Sequence, residues 1–363
     1  MNLVNQNMWV TILAGGVGSR FWPVSTPSRP KQLLPLASTE PLIVDTLTRA
    51  RGLGPDSRLR ILTGRSMVGP IQSVTDLPNS AFLVEPEAKG TGPVLAWAAW
   101  ELAQVDKDAV LISLHSDHVI RPTEAFVDVL HTGARIASEE ELLLTVAVPP
   151  DRPEIGYGYI KPGAPLDTPE GHRAYRVDSF VEKPAPDVAA SYLDKGYRWN
   201  SGIFIWKATT FLEEVRAHAP EIAAALPLLD KGDVEGFFSE TQNITVDDAV
   251  LARSDRVASI ESTFQWDDVG SWESLSRTRE SDEGGNIPHG DAHLVKASGN
   301  IAIADSGTLV LLGVEDLVVV QTDAVTVVIP RADAPQLKEY LAELPAEIRD
   351  PALLHASRRP PTE

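Results

Sequence analysis

The chain has 363 residues, of which 43% are hydrophobic, and its 51 acidic and 32 basic residues give a formal net charge of −19. This acidic balance argues against a nucleic-acid partner, and the absence of cysteine excludes disulfides, thiolate metal sites and cysteine nucleophiles. No apolar run has the length of a membrane span, and the N-terminus lacks a signal-peptide pattern. We therefore expect a cytoplasmic protein with one large domain and one small one, and any metal to be held by carboxylates.

Short β-branched runs alternate with helix-length amphipathic stretches in the first half of the chain, as in βα units around a parallel sheet. The predicted strands are 9–13, 59–63, 81–84, 110–114 and 142–148. The predicted helices are 42–51, 93–104 and 123–138. This order predicts a doubly wound α/β fold with a mostly parallel sheet, in which ligands bind beyond the carboxyl ends of the strands.

A glycine-rich turn follows the first predicted strand, in the segment 13–33 (LAGGVGSRFWPVSTPSRPKQL). Gly15, Gly16 and Gly18 have no Cβ, so the backbone can turn sharply and direct successive N–H groups at phosphate oxygens. A glycine-rich turn alone is weak evidence for such a site, but this one lies at the carboxyl end of a strand.

Three cations follow these glycines and strengthen the prediction of a polyphosphate site. Arg20 and Arg29 supply planar guanidinium groups, and Lys31 supplies a compact charge. The segment lacks the G-x-x-x-x-G-K-[ST] spacing of a phosphate-loop ATPase or kinase and the third glycine of a dinucleotide fingerprint. The sequence therefore predicts a phosphate-binding turn of another kind.

The second half changes character twice. Residues 156–206 read as short strands of an inserted sheet, followed by predicted helices at 208–217, 220–229, 246–253 and 271–279. Residues 281–290 read as a linker, 294–329 as closely spaced strands and 334–344 as a helix. We therefore predict a catalytic domain at 1–283, a small all-β domain with a terminal helix at 284–350, and a disordered tail at 351–363.

Two acidic centres are candidates for binding a divalent cation. Asp117 comes just after the strand 110–114, although the same position suits a residue that merely caps the following turn. Asp267 and Asp268 lie between two tryptophans, ahead of Gly270, in a pattern that also suits a simple helix start. Carboxylates suit Mg²⁺ or Mn²⁺.

Several motifs together resemble one enzyme family. The pattern G-G-x-G-S-R-x-W-P-x-S followed by P-K-Q is similar to the signature of sugar-1-phosphate nucleotidylyltransferases, in the form typical of the mannose-1-phosphate guanylyltransferase branch. The pattern W-x-D-V-G-S-W resembles the second metal motif of the family and selects Asp268 over Asp267. The resemblance covers about residues 9–330. It implies the Rossmann-like nucleotide-diphospho-sugar transferase fold and a short left-handed β-helix near the C-terminus.

The resemblance also implies the roles of individual residues. Catalysis would use Arg20, Lys31, Asp117 and Asp268, with Mg²⁺ or Mn²⁺ held by Asp117 and Asp268. Nucleotide binding would use Leu13, Ala14, Gly15, Gly16, Gly18, Ser19, Arg20, Lys31, Glu85 and Thr91. Sugar phosphate binding would use Tyr157, Gly158, Glu182, Lys183 and Asn200: the acid and the amide for hydroxyls, the lysine for phosphate and the glycine for close approach.

The implied activity is transfer of GMP from GTP to mannose 1-phosphate, which yields GDP-mannose and pyrophosphate. The family usually has Arg-Asn-Thr-Ala where this chain has Lys89-Gly90-Thr91-Gly92, and an aromatic residue where it has Asp248. The same reaction with another sugar or base therefore stays an alternative. A catalytically silent regulatory subunit that binds a nucleotide sugar is a second one, and a homodimer is an assembly that the sequence allows.

Overall fold

The computed structural model describes residues 7–16 and 18–349. The chain divides into two compact units. The first unit contains the described residues up to Gly15, Thr46–Ser116 and Ile120–Trp266, and the second contains Gly16–Asp45, Asp117–Val119 and the chain from Asp267 onward. In the described part of the chain, no helix combines the length and the apolarity needed to cross a membrane.

A nine-stranded sheet forms the first unit. Its strands, in chain order, are β1 Met8–Leu13, β2 Leu59–Gly64, β3 Phe82–Glu85, β4 Val110–His115, β6 Leu143–Val148, β7 Gly158–Pro165, β8 Ala174–Glu182, β9 Arg198–Lys207 and β10 Val257–Glu261. The short strand β5, Val119–Arg121, is not part of this sheet. The spatial order is β3-β2-β1-β4-β9-β6-β10-β8-β7. The first four of these strands run parallel, as do β6 and β10, whereas β9 runs antiparallel to β4 and β6.

The α/β fold predicted from the sequence is confirmed. All five predicted strands of the first half are present with ends within one residue of the prediction. Helices accompany the strands: α1 Leu42–Ala50, α2 Arg65–Gln72, α3 Thr91–Val105, α4 Thr123–Glu139, α5 Pro186–Asp194, α6 Ala208–His218, α7 Pro220–Ala223, α8 Leu226–Leu229 and α9 Val234–Glu240. The core under the sheet includes several aromatic rings: Trp206 of β9 stacks on Phe211 of α6 with ring centroids 4.3 Å apart.

Some helix predictions in the first unit were wrong. The helices α2, α5 and α9 were not predicted: Gly69 and Pro70 interrupt the helical pattern of α2, and α5 has Ala189 as its one buried residue and so lacks an apolar stripe. The predicted helix 220–229 is two short helices, and the predicted helix 246–253 is a π-helical turn, Asp247–Leu251. That turn begins at Asp247.

The second unit contains a four-stranded sheet of β12 Ile287–Val295, β13 Ile301–Leu312, β14 Leu317–Gln321 and β15 Thr326–Pro330, which follow β11 Gln265–Asp267 in the chain. The first three of these strands are parallel and consecutive, and β15 is antiparallel to β14. Such stacking fits the predicted β coil, whose left-handed sense stays a prediction.

Buried asparagines connect the successive layers of this coil. The Asn300 amide donates to Asn286 Oδ1 at 2.9 Å, and Asn300 Oδ1 accepts from the Leu317 N–H at 3.0 Å. The helices of this unit are α10 Leu275–Thr278, α11 Leu337–Glu343 and α12 Ala346–Arg349.

The predicted linker 281–290 is wrong in its last part, because β12 begins at Ile287. The predicted domain boundary after residue 283 stays a prediction, and the predicted tail 351–363 lies outside the described residues.

Candidate active site

The phosphate-binding segment begins at the end of β1. Leu13 is the last residue of that strand, and the Ala14 N–H donates to the Leu62 carbonyl at 2.9 Å. The two glycines that follow, Gly15 and Gly16, are exposed. A Cβ at Gly15 would lie 3.4 Å from Glu85 Oε1, so the structure brings Gly15 and Glu85 together within the first unit. Burial raises the pKa of the Glu85 carboxyl.

Gly18 packs closely against Lys31, and both residues belong to the second unit. The φ of Gly18 is +74°, and a Cβ placed there would overlap Lys31 Cβ, so any side chain would force the two backbones apart. Ser19 and Arg20 are exposed on the short 3₁₀ turn Ser19–Phe21. The ring of Phe21 is buried against Trp272, with centroids 4.9 Å apart, and this contact anchors the turn.

Lys31 joins the two acidic centres in what we call the lysine cluster, which consists of Lys31, Asp117 and Asp268. The Lys31 ammonium donates to Asp117 Oδ2 at 2.8 Å and to the Asp268 backbone carbonyl at 2.7 Å. The lysine side chain is only 8% exposed and that of Asp117 is 30% exposed. A buried ammonium needs such partners, since its desolvation is otherwise unfavourable.

The neighbouring Asp267 stabilises the local structure through hydrogen bonds to the backbone and to an arginine. Its carboxylate accepts from the Val269 N–H at 2.8 Å and from Arg277 Nε at 2.6 Å. Asp268 Oδ1 accepts from the Gly270 N–H at 3.0 Å. The arginine partner makes Asp267 the structural acid of the pair, and the choice of Asp268 as the metal ligand stays a prediction.

The residues predicted for the sugar phosphate meet on three neighbouring strands of the first unit. Gly158 of β7 pairs with Glu182 of β8 and with Asn200 of β9. A Cβ at Gly158 would lie 2.6 Å from Glu182 Oε2 and 3.4 Å from Asn200 Cβ. The absence of a side chain at Gly158 therefore lets the Glu182 carboxylate and Asn200 pack closely against this strand.

The two remaining predicted sugar residues differ in position. Lys183 has a positive φ of 46°, is 61% exposed and donates from Nζ to Glu182 Oε1. Tyr157 is buried, and its ring packs edge-on against Trp199 and Trp266 with centroids 5.3 and 5.1 Å away. The exposed lysine can reach a ligand phosphate, whereas the tyrosine ring lies within an aromatic group.

Asp247 was not among the predicted site residues. It opens the π-helical turn, and its Oδ1 accepts a hydrogen bond from Asn200 Nδ2 at 2.8 Å. Burial, reinforced by the charge of Glu182, raises the pKa of the Asp247 carboxyl to about 7. We call Gly158, Glu182, Asn200 and Asp247 the amide cluster. The adjacent Asp247-Asp248 pair is the sequence signal that indicates an acidic group here, but only Asp248 departs from the family pattern.

The chain matches a known family over most of its length. The model of the family described as nucleotidyl transferase matches residues 10–284. The chain belongs to the nucleotidyl transferase family. It is 33% identical to the mannose-1-phosphate guanylyltransferase of Salmonella montevideo and 34% identical to the alginate biosynthesis protein AlgA of Pseudomonas aeruginosa; both alignments cover 95% of this chain, with 75% and 73% of the relatives.

A solved structure agrees with this assignment. The mannose-1-phosphate geranyltransferase from Thermus thermophilus superimposes with a TM-score of 0.83 at 30% identity, over 93% of this chain and 98% of that one. The mannose-6-phosphate isomerase from Helicobacter pylori, at 24% identity and a TM-score of 0.58 over 72% of this chain and 99% of that one, shares the fold. The first of these matches extends through the C-terminal strands as well as the large sheet.

Nucleotidyl transferases of this family generally need a divalent metal. In this nucleotidyl transferase, the oxygen donors of Asp117 and Asp268 fit that need, because hard cations such as Mg²⁺ and Mn²⁺ prefer carboxylate ligands. The Lys31 ammonium bonds to the Asp117 carboxylate and to the Asp268 backbone carbonyl, so one positive charge lies beside both residues. The donor types of Asp117 and Asp268 therefore suit a divalent cation.

The segment Lys89–Gly92, which departs from the family pattern, is hydrogen-bonded to residues 244–246, just before Asp247. The Ile244 N–H donates to the Lys89 carbonyl at 3.0 Å, and the Val246 N–H donates to Thr91 Oγ1 at 2.9 Å. Gly90 has a φ of +81°, and a Cβ there would lie 2.6 Å from the Ile244 carbonyl oxygen. The unusual glycine is thus explained by close backbone packing, and the Thr91 hydroxyl oxygen accepts a backbone N–H of the same stretch.

Proposed function

We propose that this nucleotidyl transferase transfers GMP from GTP to α-D-mannose 1-phosphate and forms GDP-mannose and pyrophosphate. The similarity to mannose-1-phosphate guanylyltransferases over 95% of the chain supports the substrates. The lysine cluster is the observation that carries the proposal, because a buried lysine between two candidate metal ligands suits polyphosphate chemistry.

In the proposed reaction, an oxygen of the sugar phosphate forms a bond to the α-phosphorus, and the bond from that phosphorus to the pyrophosphate oxygen breaks. The attacking phosphate is already ionised at neutral pH, so no side chain needs to remove a proton. Arg20 and Lys31 would neutralise the charge that grows on the α-phosphate and the leaving pyrophosphate. A divalent cation on Asp117 and Asp268 would supply further charge neutralisation and orient the phosphates.

On the nucleotide side, we propose that Glu85 and Thr91 contact the nucleoside and that the triphosphate is bound by the backbone of Leu13, Ala14, Gly15, Gly16, Gly18 and Ser19. The exposed glycines of this segment can offer backbone N–H groups to anions. Glu85 lies directly beside Gly15 and is a hydrogen-bond acceptor at this end of the sheet.

On the sugar side, Glu182 would accept hydrogen bonds from mannose hydroxyls, and Gly158 would let the ring approach the sheet. Lys183 would exchange its bond with Glu182 for the sugar phosphate, which its exposure permits. The sugar phosphate carries more negative charge than the Glu182 carboxylate, so we expect the Lys183 ammonium to bind the phosphate in preference.

Pyrophosphate release tests the proposal. The purified chain is assayed with Mg²⁺ and each of GTP, ATP, UTP and dTTP, in combination with mannose 1-phosphate or glucose 1-phosphate. We expect the fastest release with GTP and mannose 1-phosphate, with GDP-mannose identified by mass spectrometry. A faster rate with another pair would replace the substrates, and no release with any pair would favour the silent regulatory subunit. A homodimer and a cytoplasmic location stay predictions.

A further inference from the structure

The hydrogen bonds of the Asn200 amide fix its orientation. Asn200 Oδ1 accepts from Thr145 Oγ1 at 2.6 Å and from the Gly202 N–H at 3.3 Å. Asn200 Nδ2 donates one hydrogen to Asp247 Oδ1 at 2.8 Å. The oxygen thus has two donors, whereas the second hydrogen of Nδ2 has no partner among the residues that the structure describes.

Asp247 is the group that decides between the two possible amide orientations. If the amide were flipped, its oxygen would face the Asp247 carboxylate, and two acceptors would oppose each other. Thr145 could adapt to a flipped amide by rotating its hydroxyl, because a hydroxyl both donates and accepts, whereas a carboxylate only accepts. The remaining contact, from the Gly202 N–H, is long at 3.3 Å.

We infer that Asp247 is a positioning residue of the sugar site, whose carboxylate holds the Asn200 amide so that its free N–H faces the ligand beside the Glu182 acceptor. This inference rests on the proposed function, since it assigns Asn200 and Glu182 to a sugar hydroxyl. Asp247 itself reaches the sugar only through Asn200.

The arrangement selects for a hydroxyl rather than for another polar group. A hydroxyl accepts from the Asn200 N–H and donates to the Glu182 carboxylate at once, because it carries both a lone pair and a hydrogen. A deoxy sugar would leave both protein groups without partners, and an unpaired buried polar group costs more than a mismatched apolar contact. The cluster therefore discriminates against sugar phosphates that lack this hydroxyl.

The charge of Asp247 links this positioning to pH. The charged groups that act on its ionisation are Glu182 of β8 and Asp248 of the same π-helical turn, and both are acidic. Lys183, which is exposed, supplies the positive charge of the ion pair with Glu182. Below about pH 7 the Asp247 carboxyl holds a proton, so it can donate as well as accept, and the preference for one amide orientation weakens.

The experiment compares Asp247→Asn and Asp247→Ala with Asp248→Asn, a matched control at the next, exposed position, whose side chain accepts a hydrogen bond from Thr245 Oγ1. Steady-state kinetics give KM for mannose 1-phosphate and for GTP from about pH 6 to pH 8.5. We expect Asp247→Ala to raise KM for the sugar phosphate about tenfold, and Asp247→Asn severalfold, while KM for GTP stays within about twofold. The control should match the wild type at pH 8.5, where Asp247 is ionised in both proteins.

The pH profile separates positioning from a merely structural role. The ratio of the sugar phosphate KM of Asp247→Asn to that of the wild type should rise as pH increases through about 7, because only the wild type gains the charged form. Taking the ratio cancels the ionisation of the substrate phosphate. A ratio that is flat with pH, or equal increases in both KM values, would overturn the inference. If Asp247→Ala does not fold, the profile of Asp247→Asn decides alone.

The proposed function can fail separately. If the wild type itself does not turn over GTP and mannose 1-phosphate, the function is wrong. If the wild type is active and Asp247→Asn and Asp248→Asn behave alike, the function stands and the positioning role is wrong.

Discussion

The lysine cluster and the amide cluster both contain two acidic side chains, but the two clusters balance that charge differently. In the lysine cluster, a buried ammonium lies against Asp117 and the backbone of Asp268. In the amide cluster, Asp247 faces a neutral amide, and burial together with the charge of Glu182 raises its pKa to about 7. The first arrangement suits a ligand of high charge, and the second suits neutral hydroxyl groups.

The strongest test of this contrast removes the charge of Asp268. We expect Asp268→Asn to lower kcat by about a thousandfold, by analogy with the loss of one transition-state contact of about 3–4 kcal/mol. The fold should survive, because the amide can still accept from the Gly270 N–H. Pyrophosphate release and a melting curve measure both, with Glu283→Gln at an exposed position as the control. Near-normal turnover would break the assignment of this cluster to phosphate chemistry.

The matching test in the amide cluster is Glu182→Gln. We expect it to raise KM for mannose 1-phosphate tenfold or more and to change KM for GTP little, since a hydrogen bond to a charged group contributes about 1.5–3 kcal/mol. Asp178→Asn is the matched control, because Asp178 lies on the same strand and is half exposed beside Lys161. A larger effect on GTP than on the sugar phosphate would contradict the division between the clusters.

Backbone packing near the amide cluster is tested by Gly90→Ala. The positive φ and the 2.6 Å approach to the Ile244 carbonyl predict destabilisation by about 1–3 kcal/mol in denaturant unfolding. Gly54→Ala is the control, since a Cβ at Gly54 meets nothing within 4 Å. Equal stability of the two variants would show that the segment before Asp247 can move, which would weaken the account of how that residue is placed.

The smallest expected effect concerns stability and pH. The folded pKa of Asp247 lies near 7 and its ordinary value is 3.8, so the carboxyl favours folding when protonated and loses that contribution as pH rises from about 4 to 7. Asparagine cannot ionise, so the Tm difference between Asp247→Asn and the wild type should become more positive, by a few degrees, between about pH 5 and pH 8. A constant difference would mean that the charge is not buried.

Much of the first unit follows from local patterns. The strands β1 to β4 and β6 and the helices α1, α3 and α4 follow from hydrophobic runs and from proline at helix starts, and these signals are local. The helix α5 was missed because, among its nine residues, Ala189 is the one that is buried, so it lacks a clear apolar stripe. The breaks at Gly69-Pro70 likewise concealed α2.

The candidate residues were found from motifs, but their partners were not. The sequence indicated Lys31, Asp117 and Asp268 as separate charges, and only the fold shows that one ammonium bonds to the Asp117 carboxylate and to the Asp268 backbone carbonyl, over sequence separations of 86 and 237 residues. Asp247 lies 47 residues from Asn200, and nothing in the local pattern links the two. Pairings of this kind depend on strand order and on a π-helical turn, which a linear pattern does not reveal.

We propose that the amide cluster binds the sugar and that the lysine cluster does not. Calorimetry of the wild type, Glu182→Gln and Asp268→Asn gives the dissociation constants for GDP and GDP-mannose, and the ratio of the first to the second isolates the contribution of the sugar. We expect this ratio to fall towards one in Glu182→Gln and to stay at the wild-type value in Asp268→Asn. An unchanged ratio in Glu182→Gln would contradict it.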